Sequence, residues 1–196
     1  MPKIVKISLY LYAALLLFVF THHVHSQDKV QKIDELIQKY NALNQFNGAV
    51  LVAENGKIIL SKGYGMQDFE NKVPNNNVTK FRLASVTKQF TAMLVMQLVE
   101  KGKIKLDGKL TDYLPYYRKD VGDKITISQI LSHTSGLANY TNDRKFMQEE
   151  SGRKVTPKDF VLKYCSEDLI FEPGTKWEYS NSGYFLLGYI IEKVSG

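Results

Sequence analysis

Ser85 and Lys88 are the residues on which chemistry is most readily built. They stand in "FRLASVTKQFTAMLVMQLVEKG", residues 81–102, at the front of a long apolar segment. Side chains three apart on a helix face the same way, so a lysine amine there can reach the serine oxygen. A serine hydroxyl is a weak nucleophile until a neighbour accepts its proton. A lysine can be that neighbour only where burial or a second cation lowers its pKa. The start of a helix adds unpaired N–H groups and a partial positive charge, which suit a developing oxyanion. Together these are what attack by Ser85 on a carbonyl would need, with Lys88 as its proton acceptor. On spacing alone a plainer reading stays open, with Ser85 an N-cap and Lys88 a solvated first-turn residue.

Context separates this pair from the other two Ser-x-x-Lys spacings, Ser26-Lys29 and Ser151-Lys154. The first falls at a predicted cleavage point and the third in the charged stretch "QEESGRKV". A Ser-His-Asp triad is disfavoured, because no Gly-x-Ser-x-Gly elbow occurs and three of the four histidines lie within residues 22–25. The fourth, His133 in "LSHTSGL", reads as a helix-end residue bonded into a turn. Neither His-Glu-x-x-His nor paired cysteines occur, which disfavours a zinc site, and acyl transfer by a serine implies no metal or organic cofactor.

The elements that must position such a pair can be read from periodicity. Val30, Ile33, Ile37 and Tyr40 form one stripe over residues 28–44, which predicts an amphipathic helix. Two β-branched runs around Glu54-Asn55-Gly56 predict a hairpin. The segment after Ser85 is apolar around much of its circumference, through Phe90, Met93, Leu94, Met96, Leu98 and Val99, and predicts a central, buried helix. Short helices follow in "LDGKLTDYLP" and "ITISQILSHTSGL". Thr156 with Pro157 opens another, and a last apolar helix begins near Ser182. The order predicts an α/β mixture rather than a parallel βαβ series. A two-stranded hairpin is too small a sheet for so many helices, so the chain is expected to be the N-terminal part of something longer.

Composition is that of a globular protein, 44% hydrophobic and 23% charged. Residues 1–26 combine Lys3 and Lys6, an uncharged run from Ile7 to Phe20, and small Val24 and Ser26, the layout of a secretory signal cut after Ser26. Fourteen apolar residues fall short of the roughly 20 that span a bilayer, which favours cleavage over an uncleaved anchor. The expected mature domain is therefore residues 27–196, exported to the periplasm or beyond, with no stable membrane span. It keeps 24 basic against 20 acidic residues, interspersed, which argues against nucleic-acid binding. Cys165, the sole cysteine, has no disulfide partner in the chain and reads as a small core residue.

Three blocks in order, "ASVTKQFTA" (84–92), "ILSHTSGL" (130–137) and "PGTKWEYSNSGYFLLGYIIEKVSG" (173–196), resemble the serine β-lactamase-related family. That family takes in class C β-lactamases, DD-peptidase-type penicillin-binding proteins and related esterases. The resemblance implies a β-lactamase/transpeptidase-like fold, with an antiparallel sheet flanked by helices and a mostly helical lobe. It implies Ser85 as the acylated nucleophile and Lys88 as its proton acceptor. Tyr179, first in Tyr-x-Asn, would carry the proton to the leaving group and activate the deacylating water. Asn181 would bind the substrate carbonyl and help hold Lys88. Tyr140-Thr141-Asn142 is a second Tyr-x-Asn, without the Pro-Gly turn before it or the apolar helix after it. The implied partner is a small molecule or a peptidoglycan peptide: a β-lactam, a D-Ala-D-Ala peptide or a small ester. The family's third element, a Lys- or His-led triad ending in glycine on a sheet-edge strand, has no counterpart after Asn181, hence the expectation of a truncated hydrolase. Competing readings are a penicillin- or peptidoglycan-binding relative without turnover, and an inert fragment.

Overall fold

Residues 29–150 and 152–196 are described by a computed structural model, and the predicted signal segment lies outside them. The chain divides into two units, Met1–Arg82 and Leu83–Gly196.

In the first unit, helix α1 covers 29–42, and the chain leaves it through Asn44 at a positive φ of 55°. Strands β1 (Gly48–Glu54) and β2 (Lys57–Tyr64) pair antiparallel, with Gly48 opposite Tyr64 and Glu54 opposite Lys57. The predicted turn is present. Asn55 and Gly56 have φ of 50° and 75°, the two left-handed residues that match a hairpin's twist. Asp34 ties α1 to β2 by accepting from Tyr64 Oη at 2.6 Å and Lys62 Nζ at 2.9 Å. Short strands β3 (Met66–Asp68) and β4 (Val73–Pro74) form a second ladder. Among the described residues the sheets are thus two separate two-stranded ladders.

The second unit is helical and holds the main core. A one-turn 3₁₀ segment, Ala84–Val86, runs into α2 (Thr87–Glu100). Then come α3 (Leu110–Tyr113), α4 (Lys119–Gly122), α5 (Ile127–Leu131), α6 (Pro157–Tyr164) and α7 (Asn181–Ser195). Capping residues set several of these starts. Thr126 and Gln129 form a reciprocal capping box on α5, and Thr156 caps α6 ahead of Pro157. Val95, Leu110, Leu114, Ile125, Ile127, Val161, Leu186, Leu187 and Ile190 are fully buried in one cluster. Cys165 lies in that core, where burial pushes its thiol up to about 12 and leaves it inert.

The expectation of a buried α2 is corrected. Only Val95 and Leu98 are buried, whereas Phe90, Met93, Leu94 and Met96 are exposed. The covered stripe runs through Lys88, Thr91, Ala92, Val95, Leu98 and Val99, the positions that turn toward α7 at helical spacing. Lys88 therefore begins the inward face of its helix, which hydrophobicity alone would not reveal. Among the described residues, no helix is long and apolar enough to cross a membrane.

Candidate active site

The front ends of α2 and α7 meet. Ser85 lies in the 3₁₀ turn, and Val86, which makes no side-chain cap, is the residue before α2. The N-cap reading of Ser85 is thereby overturned. Its hydroxyl is turned to Tyr179, whose Oη donates to Ser85 Oγ at 2.8 Å. Ala84, immediately before it, has φ of 45°, a left-handed conformation that costs a residue with a Cβ roughly 1–2 kcal/mol. The turn thus holds a strained residue beside the exposed hydroxyl.

Lys88 is half-buried and donates from Nζ to Asn181 Oδ1 at 2.7 Å. Its nitrogen also lies 4.8 Å from the Tyr179 ring centroid and 5.4 Å from that of Tyr184. The hydrogen bond on Ser85 therefore comes from the phenol, while the amine is engaged by the asparagine.

Tyr179 and Asn181 reach the site at a loop-to-helix junction. Ser180 is extended (φ −133°, ψ 118°) and caps α7, accepting from Gly183 N–H at 3.2 Å, so Asn181 is already the first helical residue. This start is one residue earlier than the sequence suggests. Loop 138–143 fixes Asn181 from the other side. Asn139 Oδ1 accepts from Asn181 N–H at 3.1 Å and from Thr141 Oγ1 at 3.0 Å; Asn181 Nδ2 donates to Thr141 Oγ1 at 3.0 Å. The amide is thereby oriented with its oxygen on Lys88 and one N–H left over. Asn139 and Thr141 were missed by sequence reasoning, because nothing local marks two small polar residues 40 positions away as a support for Asn181.

The rival Tyr140-Thr141-Asn142 lies close by but in a different role. Tyr140 packs edge-on against Phe146 and Phe160, and its backbone N–H donates to Ser182 Oγ at 3.0 Å. Burial pushes the phenols of Tyr140 and Tyr184 up from their usual value. Tyr179 goes the other way: the Lys88 amine beside it, and next the bond with Ser85, hold its phenol below the usual range near 10. Of these three phenols, only Tyr179 has its ionised form favoured.

His133 ends α5 as expected, its N–H donating to Ile130 O, yet it also reaches the site. Its ring lies 4.7 Å from that of Tyr179 and 5.0 Å from that of Tyr184. The adjoining turn needs Gly136, at φ 75°, where a Cβ would come within 2.2 Å of Phe171 O. The remaining Ser-x-x-Lys serines, Ser26 and Ser151, lie outside the described residues.

The β-lactamase family profile matches residues 33–196. The chain belongs to the serine β-lactamase-related family. This family member is 32% identical over 174 residues to protein flp of Staphylococcus aureus (strain N315), covering 87% of this chain and 34% of that protein. Among solved structures it resembles FmtA from Staphylococcus aureus, with TM-score 0.70 and 32% identity over 87% of this chain and 44% of that one. It likewise resembles a class C β-lactamase solved with cefoxitin, with TM-score 0.70 and 30% identity over 86% and 46% of the respective chains. The fold is thus that of the β-lactamase/transpeptidase proteins, and the chain spans between a third and a half of the length of these relatives.

Proposed function

We propose that the protein is an exported serine hydrolase working by acyl transfer on an amide or ester carbonyl. Ser85 is the nucleophile, Tyr179 the group that moves its proton, and Lys88 the cation beside that phenol. The observation that carries this reading is the 2.8 Å contact between Tyr179 Oη and Ser85 Oγ, with Lys88 Nζ over the same ring. Export is supported by the signal-like residues 1–26.

The chemistry follows from the charge arrangement. A neutral phenol donates to Ser85; once ionised, with Lys88 favouring that form, the same oxygen accepts the Ser85 proton across the same contact. This differs from direct transfer to Lys88, because the amine's hydrogen bond goes to Asn181. Ser85 Oγ then bonds to the carbonyl carbon, Tyr179 returns the proton to the departing nitrogen or oxygen, and that bond breaks to leave an acyl-serine. In the second half Tyr179 takes a proton from water, the hydroxide attacks the ester, and the proton goes back to Ser85. Asn181 keeps an N–H for the substrate carbonyl while its oxygen holds Lys88. Candidate substrates are β-lactams, D-Ala-D-Ala peptides and small esters, in line with a family that includes class C β-lactamases.

Intact-mass measurement after exposure to a fluorescent penicillin or a phosphonate probe tests this. One adduct per chain is expected, and none on Ser85→Ala. Labelling that survives this substitution sinks the assignment of Ser85. An adduct that persists without hydrolysis marks a penicillin-recognising relative rather than a turnover enzyme.

A further inference from the structure

The one histidine outside residues 22–25 is placed where a polar ring has a task. His133 sits just past α5 at a positive φ of 59°, a conformation reached at some cost by any residue with a Cβ. There its backbone and side chain both grip the loop that leads into Tyr179. Its carbonyl accepts from Glu178 N–H at 2.9 Å, and its Nδ1 accepts from Ser180 N–H at 3.2 Å. These two bonds bracket Tyr179 in sequence. Between them the imidazole lies under the phenol, 4.7 Å between centroids at an interplanar angle of 34°.

We infer that His133 is a positioning residue for Tyr179 that works only as the neutral Nε2–H tautomer, so that its protonation loosens the phenol from Ser85. The catalytic part of this inference rests on the acyl-transfer reading above; the tautomer and its coupling to Tyr179 do not.

The physical argument is donor arithmetic. Ser180 contributes an N–H, so Nδ1 must carry a lone pair, which only the neutral ring with its proton on Nε2 provides. Protonation would set two N–H groups against each other and cost the Ser180 bond. It would also place a second positive charge near Lys88, the charged group facing His133 from α2. The other groups around the ring are the phenols of Tyr179 and of Tyr184 on α7, and the Trp177 indole at 5.9 Å. Glu178 presents its backbone N–H to the His133 carbonyl. Burial, and then the Lys88 charge, both pull the imidazole below its ordinary value. The sign is therefore fixed: the ring is neutral at and above neutrality, and the site fails as pH falls through a midpoint below that of free histidine. A residue present only for packing would show no such link between its own titration and the phenol.

Nuclear magnetic resonance on the protein labelled with ¹⁵N-histidine and with tyrosine labelled in the ring reads this without any turnover. The expected result for His133 is a bare Nδ1 and a protonated Nε2 at pH 7.5. Its midpoint should fall below about 6.5, with the Tyr179 ring signals moving at that same midpoint. A protonated Nδ1, a midpoint at or above the free value, or Tyr179 signals that ignore the His133 titration would overturn the inference. Acylation by the phosphonate probe supplies the second arm. His133→Phe, which keeps a ring but no acceptor, should slow labelling by tenfold or more, since small misplacements of reacting groups cost up to about 10²-fold. His133→Asn restores an acceptor that does not titrate and should recover part of that loss with the acid limb gone. An acid limb unchanged in His133→Asn would overturn the inference. Absence of labelling at every pH in the unmodified protein would sink the acyl-transfer reading and leave the spectra to decide the role of His133.

Discussion

Helices α2 and α7, each with the turn or loop that leads into it, bring one pair of site residues each, yet they are held in different ways. In α7 the residues Ser182, Gly183, Leu186, Leu187, Tyr189 and Ile190 are buried, and its first turn is capped by Ser180 and braced by Asn139. In α2 only Val95 and Leu98 are buried, and its start carries no side-chain cap. The front of α2 meets the rest of the site through polar contacts, Lys88 to Asn181, Tyr179 to Ser85, and the Lys88 amine beside the Tyr179 phenol. Each apolar side chain fully buried on α7 is worth roughly 1.5–3 kcal/mol, whereas one polar contact nets about 1 kcal/mol. The α7 side, with the turn at His133 and the loop at Asn139, is thus the fixed half of the site. The α2 side is aligned to it by the same groups that would do the chemistry.

That contrast can be tested from its strongest consequence to its weakest. Lys88→Ala removes both the partner of Asn181 and the cation beside Tyr179. Without that cation Tyr179 loses the support for the ionised form that takes up the Ser85 proton, so acylation by the probe should fall by roughly 10²–10⁴-fold, the range for a disabled proton-transfer step. A loss below tenfold in the rate of labelling would show that the α2 half contributes little beyond Ser85. Leu187→Ala cuts into the fixed half: Leu187 has no exposed surface, and its truncation should cost about 2–5 kcal/mol. Urea titration followed by circular dichroism reads this, and a cost under 1 kcal/mol would contradict the assignment of α7 as the anchor. Ser180→Ala deletes the cap together with the long 3.5 Å bond from Ser180 Oγ to Ala138 O, and should cost about 1 kcal/mol in the same titration. Phe90→Gln, on the exposed face of α2, should change stability by no more than about 0.5 kcal/mol. A large loss there would mean that this face is covered after all.

Much of this was legible in the sequence, and unevenly so. The Asn55-Gly56 hairpin, the Thr156-Pro157 helix start and the core place of Cys165 follow from short-range rules, and each is observed. The three motif blocks, read together, pointed to the family to which the chain belongs. The reading of α2 as a buried helix failed, since periodicity counts apolar residues but not the neighbours available to cover them. The support that Thr141 and Asn139 give to Asn181 has no sequence signal, because hydrogen bonds across 40 and 42 residues leave no local trace. His133 was read as a turn residue, which is true of its backbone and says nothing of its ring.

The sequence by itself determined which residues can react and where helices and turns begin, because caps, φ preferences and side-chain spacing act within a few residues of chain. Tertiary structure alone decided which serine–phenol pair forms, that Lys88 bonds Asn181, and that an imidazole lies beneath Tyr179. Those outcomes depend on where separate segments meet in space. Contact between side chains more than 90 positions apart is set by the packing of α2 on α7, not by either segment alone.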